Sequence, residues 1–229
     1  MKTIDPVVQK HIAEIKAAGE SAYREGAVTL FGGFPESLKH RAVVAAFGVI
    51  EQSPVRWEIM RMIETDDMAV IADKDFPLHA LLFEADSDPD RWQSLDALWR
   101  DIDRYFMTNE DCARLTVGSE LHFTEIVADA SGDVLLLAGE IAENVRAMRS
   151  DLAGLFGKYG LHVRPLDHVL AVTLIKLKSW SARTVPDALR AFRENLEAVA
   201  DRTRTQPVSM KVTRFFRGSA FEMLTRMSF

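Results

Sequence analysis

The chain is poor in the residues that mark several common chemistries. A single cysteine, Cys112, among 229 residues excludes an intramolecular disulfide and a thiolate metal cluster, and it stands in no nucleophile motif, which leaves it a structural residue. The six histidines include no pair with the close, same-face spacing of a metal site, so no metal is expected. No apolar run approaches the roughly 20 residues of a membrane span, and the first residues are charged and polar rather than signal-like. The expectation is a cytoplasmic protein with no membrane partner. Glycine is paired at Gly32-Gly33, yet neither GxGxxG nor GxxxxGK[ST] is present, so a turn is expected there rather than a phosphate loop. Charge of one sign is also missing: the net charge of −6 is spread among mixed signs, which gives no reason for non-specific attraction to nucleic acid or to an anionic membrane. Linkers, low-complexity tracts and short repeats are absent. Residues 1–229 are therefore expected to form a single domain, with 1–25 as a helical extension and the oligomeric state open.

What is present is a dense alternation of apolar patterns. Asp5 to Arg24 carries Val8, Ile12, Ile15, Ala18 and Tyr23 at helical spacing, with Asp5-Pro6 as cap and first-turn proline. Ala27–Phe31 reads as a short strand, and Glu36 to Gln52 as a helix with Val43, Val44, Phe47 and Ile50 on one side. Val55–Met62 and Met68–Ala72 read as strands, Arg91 to Phe106 and Ala142 to Tyr159 as amphipathic helices. Arg114 to Ala128 and Val134–Gly139 form a predicted hairpin around Ala130-Ser131-Gly132-Asp133. A helix from Pro186 to about Arg202 precedes two alternating strands, Val208–Phe215 and Phe221–Phe229. The order is α+β, with antiparallel strands outnumbering any βαβ crossover.

Two stretches stand out. Pro77-Leu78-His79-Ala80-Leu81-Leu82-Phe83-Glu84-Ala85 and Leu170-Ala171-Val172-Thr173-Leu174-Ile175-Lys176-Leu177 read as buried strands, each with a residue that a plain core strand does not need. Alternation puts His79 with Leu81 on one side of the first, and Ala171 with Thr173 on one side of the second. They occupy comparable places in the two halves of the chain.

The layout, with His79-Ala80-Leu81-Leu82-Phe83-Glu84 and Ala171-Val172-Thr173-Leu174-Ile175-Lys176, resembles the two-histidine phosphoesterase superfamily, which contains the bacterial RNA 2′,3′-cyclic phosphodiesterases (RNA 2′-5′ ligases). Lys211-Val212-Thr213-Arg214-Phe215-Phe216-Arg217-Gly218-Ser219 with its return strand looks like that family's C-terminal hairpin. The resemblance implies a bilobal α+β fold with antiparallel sheets around a central cleft, helices outside, and one His-x-Thr or His-x-Ser on a strand of each lobe. It implies action on a phosphodiester or cyclic phosphate of a nucleotide or RNA end, with no cofactor. His79 would then be an acid/base, and Thr173 and Lys176 phosphate ligands.

Both motifs depart from the family pattern. Leu81 stands where a hydroxyl is expected and Ala171 where the second histidine is expected. Ala171 cannot carry a proton, and Leu81 cannot bond a phosphate oxygen. The same fold with a degraded site, binding a nucleotide, an RNA end or another small anion, is the alternative to a divergent enzyme. His168 is the candidate second proton carrier. In a regular strand it faces away from Ala171, and it returns to the cleft through a bulge or through a register in which His168-Val169-Leu170 is the motif. The only literal His-x-Thr, His122-Phe123-Thr124, falls on the central hairpin and reads as an ordinary strand-face pair. Arg56, Arg61, Lys178, Arg214 and Arg217 are further candidates for a basic rim. Trp57, Trp99, Trp180 and Phe216 read as core.

Overall fold

The computed structural model describes residues 5–50, 58, 69–71, 76–86, 95–108, 115–164, 169–178 and 185–225. Strands are β1 (Arg41–Ile50), β2 (Ala69–Ile71), β3 (His79–Asp86), β4 (Glu120–Phe123), β5 (Glu125–Ala128), β6 (Asp133–Leu137), β7 (His162–Arg164), β8 (Ala171–Leu177) and β9 (Val208–Ser219). Helices are α1 (Pro6–Glu25), α2 (Asp96–Met107), α3 (Glu143–Lys158), α4 (Val185–Thr205) and α5 (Ala220–Thr225), with a 3₁₀ turn at Glu36–His40. Of the expected strand Val55–Met62 only Glu58 is described, and it is helical; the rest of that stretch, with Arg56, Trp57 and Arg61, lies outside the described residues, as do Cys112, His168 and Trp180.

Every strand pairing is antiparallel, in the order β4-β9-β1-β3-β8-β6-β5, with β2 beside β8 and β7 beside β3. The α+β class expected from the sequence holds. The two end strands of this path, β4 and β5, are consecutive in the chain and separated only by Thr124. That residue is held to the end of β6: its N–H donates to the Leu137 carbonyl at 3.1 Å, and its hydroxyl accepts from Gly139 N–H at 3.1 Å. The sheet thus curls toward closure, which leaves few unpaired edges.

Three local expectations are corrected. Arg41–Ile50 is a strand rather than part of a helix, and Ala42 to Phe47 are all buried. It runs between β3 and β9 and is covered on both faces, so the alternation that would mark a strand is missing and the apolar spacing mimics a helix. Phe221–Phe229 was expected as a strand, but 220–225 is helical: Ser219 Oγ accepts the Glu222 N–H at 3.1 Å, the geometry of an N-terminal cap. Ala27–Phe31 is extended without being a strand. Thr29 N–H donates to the Ala130 carbonyl and Phe31 N–H to that of Leu177, which lays the segment along the end of β8.

The N-terminal helix starts as read, with Asp5 Oδ1 accepting Val7 N–H at 2.9 Å. The β5–β6 hairpin turns through Gly132 at φ 73°, where an added Cβ would sit 3.1 Å from the Thr29 carbonyl oxygen. Gly132→Ala is therefore expected to cost about 1–2 kcal/mol, read as a lowered urea midpoint. An unchanged midpoint would contradict this account of the turn.

Candidate functional site

β3 and β8 meet at one ladder pair, Ala80 opposite Val172. Both side chains are fully buried. Because paired antiparallel residues share a face, His79 lies opposite Thr173, and Leu81 opposite Ala171, all four on the other, partly open face. An approximate two-fold axis through the Ala80–Val172 pair exchanges 79 with 171 and 81 with 173. The symmetry extends further: β2, which leads into β3, pairs with β8, while β7, which leads into β8, pairs with β3. The two stretches picked out in the sequence are two-fold mates.

Each strand is bulged at the same place. Against β1, Val44 pairs with Phe83 and Ala45 with Leu81, so Leu82 is the extra residue. Against β6, Val134 pairs with Ile175 and Leu135 with Thr173, so Leu174 is the extra residue. A bulge shifts the following side chains to the opposite face. Lys176 pairs with Asp133, two residues from Leu135 on an unbulged strand, so Lys176 shares the face of Thr173. In a regular strand the two would point apart. Position alone cannot reveal that in the sequence.

Neighbouring strands complete two rows across this face. One runs Arg214, Phe47, His79, Thr173, Leu135; the next runs Phe216, Ala45, Leu81, Ala171, Leu137. The first has a guanidinium, an imidazole and a hydroxyl. The second is apolar throughout. Phe47 joins the rows at one end: its ring lies edge-on to His79 at 6.1 Å and to Phe216 at 5.7 Å, and Arg214 sits over it at 4.9 Å.

The protonation state of His79 follows from its contacts. Nδ1 lies 2.7 Å from the Pro77 carbonyl oxygen, and a carbonyl only accepts, so Nδ1 carries the proton. Burial lowers the pKa below its ordinary 6.5, the Pro77 bond raises it, and the Lys176 charge lowers it, with the net shift downward. The neutral ring therefore keeps Nε2 as its acceptor, and no partner for Nε2 is found among the described residues. In this state His79 can take a proton and cannot give one.

The same shift sets a pH dependence. Below the ordinary value the unfolded chain binds a proton that the folded chain refuses, so this contribution to stability is whole above pH 6.5 and is lost as pH falls through the lowered folded value. Urea unfolding across that window should show wild type losing more stability than His79→Asn, which retains a donor for Pro77. Parallel profiles would contradict the assignment.

Lys176 reaches the face but is engaged there. Nζ is ion-paired with Asp133, both side chains being less than one-fifth exposed. Burial raises the pKa of Asp133, and the lysine opposes that rise. Nearby, Asp129 accepts from the N–H groups of Ser131 and Asp133, and the buried Tyr23 hydroxyl, its pKa raised by burial, has no hydrogen-bond partner among the described residues. Lys176 also lies 5.9 Å from the Phe31 ring centroid.

Other candidates fall elsewhere. His122, on β4, bonds Ser209 Oγ through Nδ1 at 2.8 Å, with β9 and β1 lying between it and the strand of His79. Arg217 pairs with Val44 rather than with the cleft rows; it forms a two-point ion pair with Asp103 of α2 beside Trp99. Among the described residues no group of three His, Cys, Asp or Glu could hold a metal, and no helix is long and apolar enough to cross a membrane.

No family model and no curated protein matches the chain. Among solved structures it is similar to the MHV ns2 PDE domain, at 10% identity over 61% of this chain and 84% of that one, with a TM-score of 0.36. It is also similar to the conserved protein of unknown function ATU0111 from Agrobacterium tumefaciens str. C58, at 16% identity over 81% of this chain and 89% of that one, with a TM-score of 0.45.

Proposed function

We propose that the protein is a phosphoesterase-like binding protein whose cleft holds the phosphate and sugar of a nucleotide or RNA end without the turnover of a two-histidine enzyme. The observation that supports this is the division of the two-fold site into a polar row with His79 and Thr173 and an apolar row with Leu81 and Ala171. A ligand hydroxyl donates to His79 Nε2, the Thr173 hydroxyl bonds an oxygen, and the base or another flat apolar group lies against Phe216 and Leu81. Hydrolysis needs an acid at the leaving oxygen as well as a base, and a positioned acid or base contributes ~10²–10⁴ in rate. The described site has a base alone.

The test is calorimetric titration of the full chain with a nucleoside 2′-monophosphate. Each of His79→Ala and Thr173→Ala should weaken binding about fivefold to tenfold, the scale of one lost hydrogen bond. Binding indifferent to both changes would overturn the reading. The divergent-enzyme reading requires His168 to supply the missing proton. Turnover of a cyclic phosphate that His168→Ala abolishes would favour it.

A further inference from the structure

Beyond the ladder pair Ala80–Val172 the two central strands part, and the gap at the Leu81–Ala171 side is filled from behind. Arg149 is the one buried charged residue described on α3, set in a stripe with Val145, Met148, Leu152 and Phe156. It is 6% exposed. Its Nε donates to the Leu82 carbonyl at 2.9 Å, and its Nη2 donates to the Leu81 carbonyl at 3.2 Å and to the Val169 carbonyl at 2.7 Å. The first two belong to the bulge of β3, the third to the residue two before Ala171. The guanidinium therefore bridges the two halves of the site.

The identity of the third carbonyl is informative. Pro77 stands two residues before His79, and Val169 stands two residues before Ala171, so the two carbonyls are mates under the same two-fold. In the first half the carbonyl accepts from the histidine imidazole; in the second half, where that imidazole is absent, it accepts from Arg149. The carbonyl of Leu170, the next residue, accepts from the Ala138 N–H on the β6 side. Alternation along an extended chain then directs the Val169 carbonyl toward β3, into the gap that the guanidinium occupies.

We infer that Arg149 is a positioning residue: a wedge between the motif strands that takes over the carbonyl left by the missing histidine and fixes the width of the cleft. Only a planar fork suits this role. A guanidinium can address three carbonyls on two strands at once, whereas a lysine offers one compact charge. The inference rests on the proposed cleft only for its consequence in ligand binding. The wedge itself stands on the hydrogen bonds.

Hydrogen exchange on the full chain separates the two. In Arg149→Ala the amides of residues 81–83 and 169–172 should exchange about tenfold faster or more, while those of the β4–β9 ladder hold their wild-type rates. Millimolar guanidinium should slow the affected amides again by refilling the gap, and ammonium at equal ionic strength should not. Acceleration spread evenly over the sheet, or no rescue, would reduce Arg149 to ordinary packing and overturn the inference. Should Arg149→Ala fail to fold, Arg149→Lys carries the test, since it keeps the charge and must still show the local acceleration; exchange like wild type would refute the wedge. Nucleotide affinity should fall with the same variants. A local exchange pattern with no nucleotide binding in wild type would leave the wedge standing and remove the proposed ligand.

Discussion

Replacing Ala171 with histidine and Leu81 with threonine is expected to raise hydrolysis of a nucleoside 2′,3′-cyclic phosphate by ~10²–10⁴ over the wild-type chain. The backbone already places both positions on the open face, opposite each other across β3 and β8, in the two-fold positions of His79 and Thr173. Among the described residues, the second half lacks a group that could give a proton to a leaving oxygen and a hydroxyl that could hold a phosphate. The double replacement adds both without changing the strands. One feature sets the lower end of the range: the carbonyl that would orient a new imidazole, Val169, already accepts from Arg149. The rate is read by product formation from the cyclic phosphate. A double variant that binds the substrate but remains as slow as wild type would show that the second half of the cleft is not built for proton transfer.

The second large effect is on stability. Phe156 is fully buried on α3, its ring 4.5 Å from that of Phe83 and 6.1 Å from that of Trp99. Phe83 directly follows the bulge at Leu82, so this aromatic contact fixes the back of the motif strand to the helix that carries Arg149. Truncation to alanine removes the ring and leaves a cavity that rigid neighbours fill only in part. Phe156→Ala is expected to cost about 3–5 kcal/mol, a large share of the ~5–15 kcal/mol by which such domains are stable. Urea unfolding at neutral pH measures it. A loss below about 1 kcal/mol would mean that α3 is not anchored through this ring.

Much of this arrangement is visible in the sequence, for identifiable reasons. Asp5-Pro6 marks the start of α1 because a cap and a first-turn proline leave a local signature. The two motif strands are visible because His79 and Thr173 interrupt runs of core residues, and their comparable placement in the two halves becomes a two-fold in space. β1 is not visible as a strand, since burial on both faces erases alternation. The start of α5 has a local signal that the alternating reading passed over, Ser219 followed three residues later by Glu222. The bulges at Leu82 and Leu174 depend on pairing partners far away in the chain, so the turn of Lys176 toward Thr173 and its capture by Asp133 could not be read from spacing. Arg149 was hidden for the opposite reason. A single arginine on an amphipathic helix reads as a surface residue, and only the tertiary fold supplies three backbone carbonyls for it.

The chemistry follows the same division. A neutral imidazole with its proton spent on Pro77, a neighbouring hydroxyl, and a lysine tied to an aspartate make a site that accepts hydrogen bonds and offers little charge to an anion. Arg214, stacked over Phe47, puts a cation at the far end of the polar row.

Phosphorus NMR of a nucleoside 2′,3′-cyclic phosphate mixed with a stoichiometric amount of the 229-residue chain reads binding and turnover together. The expected result is a phosphorus resonance displaced by wild type, restored toward the free position by His79→Ala, and unconverted to monoester over hours. Conversion to a 2′- or 3′-monophosphate by wild type, abolished by His79→Ala, would contradict the account, because it would require a second proton carrier that the described residues of the Ala171 half do not supply.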